Sequence, residues 1–481
     1  MDLWKLVKTS KQGWKKLLNH GKKIFWATSI FLATAISLVI LKSILDYDIK
    51  RNVKLVTDSI NAPIWFYPFP AITVCNFNQI SKKRLFKEIK HFKNPYNISE
   101  KIWQKLFQGL INMHLLYRGH YQIKDLNLLQ EILDYNNITA GSLIQKVAPT
   151  CDEIMLKCFW KNEERYCNLL FKEVMTSYGR CCAFNMFAFG QDETFKYGPN
   201  SKPRYATSCG VQSGLFVICD NNLDDYFASM LPAYGYMVLV HNSYETLGED
   251  APRVMQPLST LIYINVDPTF STLSRRSTNF IKSGTNCLFE DERQMKFFQK
   301  YSSRNCIYEC RLLRIIDICN CIPSYVAKHN DEFSAVPECT LRDVPCMKRT
   351  YFYKNCTCQP NCEHYEYSVS FSVGTLSTNY TPAAKLKILK ENQTVFAVVF
   401  KDLSAVRNRY VFTFEWQVMF SLSGGILSLF TGFSFKAVLQ MIYFLIIHTG
   451  KKCFQKIQNN NGNNNKKSKP TKLTKQFIYQ N

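Results

Sequence analysis

The chain is short of acidic residues and of recognisable enzyme motifs. Its 481 residues contain 37 Asp and Glu against 60 Lys and Arg, which leaves a formal net charge of +23 at pH 7. No P-loop, dinucleotide fingerprint, zinc-protease motif or internal repeat is evident. The segment Gly432–Lys436 lacks the final glycine of a nucleophile elbow. These absences predict a protein that is not an enzyme and that holds neither a cofactor nor a catalytic metal.

The basic excess is concentrated at the two ends of the chain. Seven lysines and one aspartate precede Ile24, and eight lysines without any acidic residue follow His448. Both groups adjoin long apolar segments, so the charge predicts cytoplasmic termini and attraction to anionic membrane lipids. For the same reason we expect no nucleic-acid binding. The Asn- and Lys-rich tail from Asn459 onward has little to bury and is expected to be disordered.

Two apolar segments are long enough to cross a bilayer. Ile24–Leu41 is an uncharged run of 18 residues and, with its flank, reaches the roughly 20 residues that a spanning helix needs. A signal peptide is the alternative, but its apolar core is usually shorter and its leading segment is short. Val411–Ile447 has 37 residues with two charges, Glu415 and Lys436. A straight helix of that length would measure about 55 Å, so we expect this segment to leave the membrane, to be interrupted, or both.

Two passes with both ends inside divide the chain into five parts. We predict a cytosolic tail (1–23), a first transmembrane helix (24–45), an extracellular cysteine-rich domain (46–409), a second transmembrane segment (410–447) and a cytosolic tail (448–481) in the plasma membrane. The N-glycosylation motifs support this orientation, because all of them fall in the extracellular part. They are Asn97, Asn137, Asn355, Asn379 and Asn392.

Eighteen of the 19 cysteines lie between the two apolar segments. Disulfides persist outside the cell and are rare in the cytosol, so this placement predicts up to nine bridges, whose connectivity the spacing does not reveal. Zinc is the competing interpretation for the pairs Cys306/Cys310 and Cys358/Cys362, but the topology favours disulfides. The dense group from Cys287 to Cys362 predicts a stapled, stiff rod or hairpin. The candidates are Cys75, Cys151, Cys158, Cys167, Cys181, Cys182, Cys209, Cys219, Cys287, Cys306, Cys310, Cys319, Cys321, Cys339, Cys346, Cys356, Cys358 and Cys362.

The extracellular part has the pattern of an α+β domain. Two stretches, 82–132 and 291–316, are predicted to be helical. Short apolar runs rich in β-branched and aromatic residues and flanked by turn residues predict buried strands. These runs are 72–74, 237–240, 261–266 and 394–400. Helices and strands do not alternate regularly, which is typical of an α+β fold.

The second apolar segment contains two groups of small residues. Ser421, Gly424 and Gly425 form the first group, and Gly432-Phe433-Ser434 forms the second. Uncovered backbone is tolerated in a membrane only where it is buried in protein or lines a water-filled cavity, and freed carbonyl groups there can replace the hydration shell of an ion. Close helix packing is the alternative use of small residues. From the residues alone, both interpretations stay open.

Several motifs together carry a family resemblance. His20-Gly21 lies just before the first span, where by itself it indicates only a turn leading into the helix. Five longer stretches have recognisable signatures: Phe69–Asn78, Gly179–Asn185, Val240–Ser243, Tyr301–Pro323 and Cys356–Tyr367. With them, nearly the whole chain resembles a subunit of the degenerin/epithelial sodium channel family, in its arthropod pickpocket branch. Cys182, Ala183 and Ser243 depart from the family patterns.

The resemblance implies an architecture and a set of site residues. It implies a trimeric channel whose extracellular domain resembles a clenched hand with palm, thumb and finger elements. Gly432, Phe433 and Ser434 would form the selectivity filter that interrupts the second transmembrane helix. His20, Gly21 and Ser421 would act in gating, with Ser421 at the position where added bulk holds such channels open. The implied function is a voltage-independent, sodium-preferring, amiloride-sensitive-type cation channel subunit with a sensory or epithelial role.

Two residues beyond the filter depart from the family pattern. Gln440 stands where an acidic residue is usual, and Lys436 stands where an apolar residue is usual. Three symmetric lysines beside a narrow cation path would repel the transported Na⁺, so Lys436 and Gln440 are expected to modify the pore. Alternatively, Lys436 packs in protein or snorkels. These departures favour partnership with other subunits of the family in a heterotrimer.

Two other protein classes fit part of this pattern. A two-pass, scavenger-receptor-like lipid-binding protein shares the topology, glycosylation motifs and disulfides, but it needs no glycine-broken second span. An ATP-gated trimeric channel is the other alternative. Thr9–Lys11 fits its N-terminal Thr-x-Lys pattern, whereas Ile447 stands where the pattern after its second span requires a lysine.

Overall fold

The computed structural model describes most of the chain. The described residues are 3–49, 53–114, 121–189, 202–248, 250–273, 287–326, 333, 335–351, 356–377, 392–412, 416–432 and 434–462. Two compact units are present, a helical unit formed by 1–54 with 412–481 and a β-rich unit formed by 55–411.

The helical unit contains a long first helix and a broken second segment. In chain order, the helices of both units are α1 (Leu3–Ile49), α2 (Lys82–Ile89), α3 (Glu100–Gln108), α4 (Ile123–Tyr135), α5 (Ala140–Val147), α6 (Cys151–Ile154), α7 (Cys167–Leu170), α8 (Ser303–Cys319), α9 (Val344–Tyr351), α10 (Trp416–Thr431) and α11 (Phe435–Gly462). Within α1, Gly21–Ile44 has 24 residues with a mean hydropathy of 2.3, which is long and apolar enough to cross a bilayer. Among the described residues it is the one helix that meets this criterion.

The β-rich unit contains two large sheets. The strands are β1 (Val53–Pro63), β2 (Ala71–Asn76), β3 (Asn78–Ser81), β4 (Met155–Trp160), β5 (Glu163–Arg165), β6 (Phe171–Thr176), β7 (Gly179–Phe184), β8 (Leu215–Asp220), β9 (Tyr226–Ser229), β10 (Tyr236–His241), β11 (Arg253–Gln256), β12 (Thr260–Leu273), β13 (Glu363–Thr375), β14 (Gln393–Phe400) and β15 (Ser404–Phe412). An eight-stranded sheet has the order β1-β15-β12-β14-β8-β4-β5, with β13 paired to β12. A five-stranded sheet has the order β11-β10-β2-β7-β6, and β3 pairs with β9.

Strand β12 organises the larger sheet. It runs antiparallel to β13 from Thr260 to Thr272, and it runs parallel first to β14 and then to β15. Ile262, Ile264 and Val266 are buried on one face, while the residues between them are only half-buried. This alternation is the period-2 pattern of a strand with one covered face.

The main core lies between the two large sheets. Phe69 is fully buried there, with its ring centroid 4.9 Å from that of Trp160 and 5.2 Å from that of Phe400. Strand β2 is buried along its whole length, because Ile72 and Val74 join this core while its other face joins a second core. The second core includes the apolar faces of α8 and α9, and a third core packs α2 to α5 together.

All four predicted strands are confirmed and are longer than expected, as parts of β2, β10, β12 and β14. The helical prediction for 291–316 is wrong at its start, because α8 begins at Ser303. Ser302 caps this helix by accepting a hydrogen bond from the Asn305 N–H at 3.0 Å. Within 82–132, the chain leaves the helix between α2 and α3, where Asn94 precedes Pro95 and its side chain bonds both backbone groups of Ile98.

Candidate pore and gating elements

The second apolar segment is broken at Gly432. Helix α10 ends at Thr431, and α11 begins at Phe435. Gly432 has φ +64°, a left-handed conformation that glycine adopts without the steric cost that a side chain carries. Its N–H still donates to the Ser428 carbonyl at 2.9 Å, so Gly432 closes the last turn of α10. The last carbonyl groups of a helix have no partner within that helix, so those of α10 are candidates to face a ligand or water.

Ser434 begins the next helix. Its Oγ accepts a hydrogen bond from the Ala437 N–H at 3.3 Å, and its carbonyl accepts from the Val438 N–H at 3.2 Å. Ser434 is thus the N-cap residue of α11. The break coincides with the predicted Gly-x-Ser motif, and its middle residue, Phe433, lies outside the described residues. The C-terminus of α10 and the N-terminus of α11 therefore adjoin this motif, in which Gly432 is conformationally free and Ser434 is polar.

The small residues of α10 lie on an exposed face in the single chain. Ser421, Gly424, Gly425 and Ser428 are exposed, and a Cβ atom built on either glycine meets no atom within 4 Å. The half-buried residues of α10 lie on its other side, and α10 packs against α1. On α1, Ser37 is almost fully buried and donates to the Thr34 carbonyl at 2.8 Å. Contact with α1 therefore does not account for the small residues of α10.

His20 and Gly21 lie inside α1, which is continuous from Leu3 to Ile49. A turn leading into the helix at this point, which the sequence indicated, is therefore wrong. None of Asn19, His20 and Gly21 is a proline, so nothing in the motif interrupts the helix. Helix α1 therefore continues through the motif into its apolar stretch, which starts at Gly21. No atom lies within 4 Å of a Cβ built on Gly21, so the space beside it in the single chain is open.

Lys436 and Gln440 lie one turn apart on α11. Residues four apart occupy the same face of a helix, so both side chains share one face, and both are exposed in the single chain. Lys436 follows Ser434 by two residues, so its ammonium group stays close to the helix break.

Three of the signature motifs meet in the β-rich unit. Strand β2, which carries the first motif, lies between β10 and β7. The Asn185 amide donates to the Phe69 carbonyl at 2.6 Å and to the Ser243 hydroxyl at 3.3 Å. Its carbonyl accepts the Arg204 N–H at 2.8 Å, and Asn185 has φ +59°. Ser243, which departs from the family pattern, therefore has a defined role. Its hydroxyl accepts a hydrogen bond from Asn185 that a proline side chain could not accept.

His241 joins β10 to the loop that follows it. The Thr73 hydroxyl lies 2.9 Å from His241 Nε2. The backbone carbonyl oxygens of Asn242 and Glu245 lie 3.0 and 3.1 Å from Nδ1. Two acceptors at Nδ1 require the proton there, so Nε2 accepts from the Thr73 hydroxyl. Burial lowers the pKa of His241 to about 4, although the two carbonyl groups oppose this shift.

The residues that attach helix α8 to this loop were not predicted from the sequence. Asn305 accepts from the Thr246 N–H at 2.9 Å and donates to the Tyr244 carbonyl at 2.9 Å. Arg304 pairs with Glu245 at 2.9 Å and with Asp250 at 2.8 Å. The pairing depends on contacts between residues more than fifty positions apart, which local sequence patterns do not reveal.

Two residues within the cysteine motifs have structural explanations. The Glu309 carboxylate accepts hydrogen bonds from the N–H groups of Lys296 and Phe297 at 2.8 and 3.0 Å. These bonds give two backbone donors of the loop before α8 a partner. The Tyr367 hydroxyl donates to the Pro68 carbonyl at 3.0 Å, which connects β13 to the start of β2.

Sixteen of the eighteen candidate cysteines form disulfides. The pairs are Cys75–Cys181, Cys151–Cys182, Cys158–Cys167, Cys287–Cys362, Cys306–Cys358, Cys310–Cys356, Cys319–Cys346 and Cys321–Cys339. Cys209 and Cys219 are free, so the ninth bridge is not formed. Cys219 is buried on β8, and burial strongly raises the pKa of its thiol.

The zinc interpretation is wrong for the residues that prompted it. Cys306 and Cys310 lie one turn apart on α8, and each bonds to a cysteine of the extended segment before β13. Residues four apart on a helix and two apart on an extended segment have similar spacing, which allows two consecutive bridges. No cluster of metal-ligand side chains occurs in the part of the chain that the structure describes.

Three glycosylation candidates can be placed. Asn97 and Asn137 are exposed with φ of 51° and 53°, and Asn392 is exposed just before β14. Asn355 and Asn379 lie outside the described residues.

Comparisons with known proteins agree with these features. The family model for the amiloride-sensitive sodium channel matches residues 6–444. The Drosophila ananassae sodium channel protein Nach is 24% identical over 432 residues, which cover 87% of this chain and 80% of the relative. Pickpocket protein 28 of Drosophila melanogaster is 23% identical over 79% of this chain and 66% of the relative. Acid-sensing ion channel 1 of Gallus gallus is 23% identical over 78% and 69%, respectively.

These matches define a class of membrane ion channels rather than enzymes or lipid receptors. The chain belongs to the amiloride-sensitive sodium channel family, which includes the degenerin and epithelial sodium channels, and its relatives identify it as a pickpocket-like subunit. The resemblance seen in the sequence is therefore confirmed. The scavenger-receptor-like and ATP-gated alternatives are not supported, since the family match includes nearly the whole chain.

Proposed function

We propose that this chain is a subunit of a voltage-independent, sodium-preferring, amiloride-sensitive cation channel of the plasma membrane, with a sensory or epithelial role. The observation that carries the proposal is the helix break at Gly432, between the C-terminus of α10 and the N-cap Ser434 of α11. A break of this kind presents carbonyl and hydroxyl oxygens, the ligands that replace water around a permeating cation.

The proposed filter consists of Gly432, Phe433 and Ser434 from each of three subunits. The partial negative charge at the C-terminus of α10 favours a cation beside Gly432. The left-handed φ of +64° turns the chain sharply there, so that the next helix starts from Ser434. Three such breaks around an axis would form a narrow ring of oxygens.

We further propose that α10 and α11 together form the second membrane span, with both termini in the cytoplasm. α11 has 28 residues and would be about 42 Å long, so its end extends beyond the membrane. Its first half is apolar apart from Lys436 and Gln440, and its second half carries Lys451, Lys452 and Lys456, which favours a cytoplasmic end.

Gating is assigned to His20, Gly21 and Ser421. Gly21 and Ser421 have open space beside them in the single chain. Neighbouring subunits would occupy that space in a closed trimer, since small residues let helices approach closely. We expect His20→Ala or Gly21→Ser to lower the open probability at unchanged surface expression.

Assembly with other subunits of the family follows from the charge beside the filter. Lys436 and Gln440 share one exposed face of α11. A ring of three lysines would oppose cation passage, whereas a single lysine among acidic or apolar side chains from partner subunits would oppose it less. A heterotrimer is therefore the proposed conducting form.

Two-electrode voltage clamp tests the filter directly. The chain is expressed alone and with pickpocket-type partners, and reversal potentials give the sodium-to-potassium permeability ratio. Gly432→Ala and Ser434→Ala should change this ratio at least twofold. Gly450→Ala is the matched control, because its Cβ meets no atom and it lies in the helical later part of α11, away from the break. Unchanged ratios for both filter variants would place the filter elsewhere.

A further inference from the structure

A cavity of about 320 Å³ opens within the β-rich unit. Its walls come from the segment around Tyr205, the loop after β10, the approach to α8 and the first residues of β13. This volume is at the lower end of the range for small-molecule sites, so it suits a compact ligand better than a peptide or a lipid.

One wall of the cavity already holds an ammonium group. Lys300 Nζ lies 3.8 Å from the ring centroid of Tyr244 and 2.6 Å from a carboxylate oxygen of Glu290. The face of an aromatic ring attracts a cation, and a carboxylate beside the ring strengthens that attraction. The Lys300 ammonium therefore shows which kind of group these walls favour, namely an organic cation.

A second carboxylate of the lining belongs to Glu363, at the start of β13. Glu363 accepts a hydrogen bond from the Thr272 hydroxyl at 2.9 Å, which orients the carboxylate. Within the described ranges, Glu363 forms no ion pair with a lysine or arginine. It therefore supplies a half-buried negative charge that no basic side chain of the described lining neutralises.

Two aromatic rings line the cavity on the same pair of strands as Glu363. The Tyr365 ring lies 4.6 Å from the Phe270 ring, and both residues line the cavity. Burial raises the pKa of Tyr365 to about 12, so its hydroxyl stays neutral and adds no competing charge. Burial lowers the pKa of neighbouring His364, so its imidazole is neutral at pH 7. Lys202 is the other basic residue of the lining, and it is exposed, where water screens its charge.

We propose that this cavity binds a small organic ammonium ion, with the ammonium group on Glu363 and its apolar body against Tyr365 and Phe270. Lys300 partly competes with such a ligand, because its own ammonium occupies the face of Tyr244. The site is formed by one chain and does not depend on the filter. Its ligand would contact both the approach to α8 and the start of β13, two segments that the Cys287–Cys362 bridge holds together.

Binding of tyramine to the purified full-length chain in detergent tests the proposal. Isothermal titration calorimetry compares tyramine with 4-propylphenol, an uncharged molecule of nearly the same shape. We expect tyramine to bind at least tenfold more tightly. Glu363→Gln should weaken tyramine binding at least fivefold. Glu366→Gln, which changes an exposed carboxylate three residues along the same strand, should leave it unchanged.

A third variant has the opposite expected sign. Lys300→Met removes the tethered ammonium and frees the Tyr244 face and Glu290, so tyramine should bind at least threefold more tightly. A general loss of folding would weaken binding in every variant and cannot produce this gain. Absence of tyramine binding at millimolar concentration, equal affinity for 4-propylphenol, or equal effects of Glu363→Gln and Glu366→Gln would each overturn the proposal.

Discussion

The Arg304 guanidinium donates a hydrogen bond to the Glu245 carboxylate at 2.9 Å, which joins the first turn of α8 to the loop after β10. The Glu245 side chain is only 5% exposed. Burial raises the pKa of Glu245, and Arg304 opposes that shift. Arg304 also bonds Asp250 at 2.8 Å, so a single cation serves two carboxylates. The contact is a point at which helix α8 is attached to the sheet beneath it.

Arg304→Met should destabilise the protein markedly, because it leaves the buried Glu245 carboxylate without a charged partner. We expect a loss of about 2 kcal/mol, below the roughly 3–5 kcal/mol for a fully buried pair because Arg304 is itself partly exposed. Arg342→Met is the matched control, because Arg342 pairs with Asp134 at 3.1 Å with both side chains about half exposed. That change should cost less than about 1 kcal/mol. Thermal unfolding of the full-length chain in detergent measures both, and equal midpoints would contradict the assignment.

Acidification should weaken the β-rich unit through His241. Its folded-state pKa is about 4, below the ordinary value of 6.5, so the unfolded state binds the extra proton between these values. Stability is therefore complete above pH 6.5 and falls as the pH drops toward 4, by about 3 kcal/mol in all. The unfolding midpoint of wild type should fall more steeply from pH 7 to pH 5 than that of His241→Gln. Exposed His91→Gln is the control, and a wild-type slope retained in His241→Gln would refute this account.

Topology can be tested with tags and glycans. Antibody to a tag after residue 481 or before residue 1 should label cells only after permeabilisation, because both termini are expected in the cytoplasm. Removing Asn97, Asn137, Asn379 or Asn392 should each shift the glycosylated band by one glycan. Asn355 should be glycosylated incompletely, since Cys356 within its motif forms a disulfide with Cys310. Labelling of the C-terminal tag in intact cells would reject the two-pass arrangement.

Ser421→Val and Ser421→Phe should raise the resting sodium current of a conducting combination. Ser421 lies on the exposed, small-residue face of α10, so added bulk would keep subunits from closing together. Ser421→Ala preserves the small size and serves as the control, with current close to wild type. Current is measured against surface protein, so a change in expression alone is distinguishable. Equal currents for alanine and phenylalanine would remove Ser421 from the gate.

Lys436→Leu should distinguish a pore-facing lysine from one packed in protein. If the proposed ring exists, the change increases cation conductance of a homotrimer severalfold, and Gln440→Glu increases it further by attracting cations to the same face. Lys451→Leu, on the later part of α11, is the control for loss of charge at a distance from the break. Single-channel conductance unchanged by Lys436→Leu would show that the lysine does not face the pore.

The sequence by itself determined the features that depend on local pattern. The apolar run around Ile24–Leu41 predicted the long part of α1 because bilayer thickness sets helix length. The Gly-x-Ser motif marked the site of the helix break, because glycine adopts a left-handed φ at little cost and serine caps a helix. The four strands could be predicted because they are rich in apolar and β-branched residues.

Only the tertiary structure decided which distant residues meet. It paired Cys306 with Cys358 and left Cys209 and Cys219 free, since bridging depends on distance in the fold and not on spacing along the chain. It also joined Glu245 to Arg304 and brought Glu363 to the aromatic cavity. Charged side chains are common on any surface, so their sequence positions contain little information about burial. Burial by neighbouring elements is what converts such a residue into a structural link or a binding group.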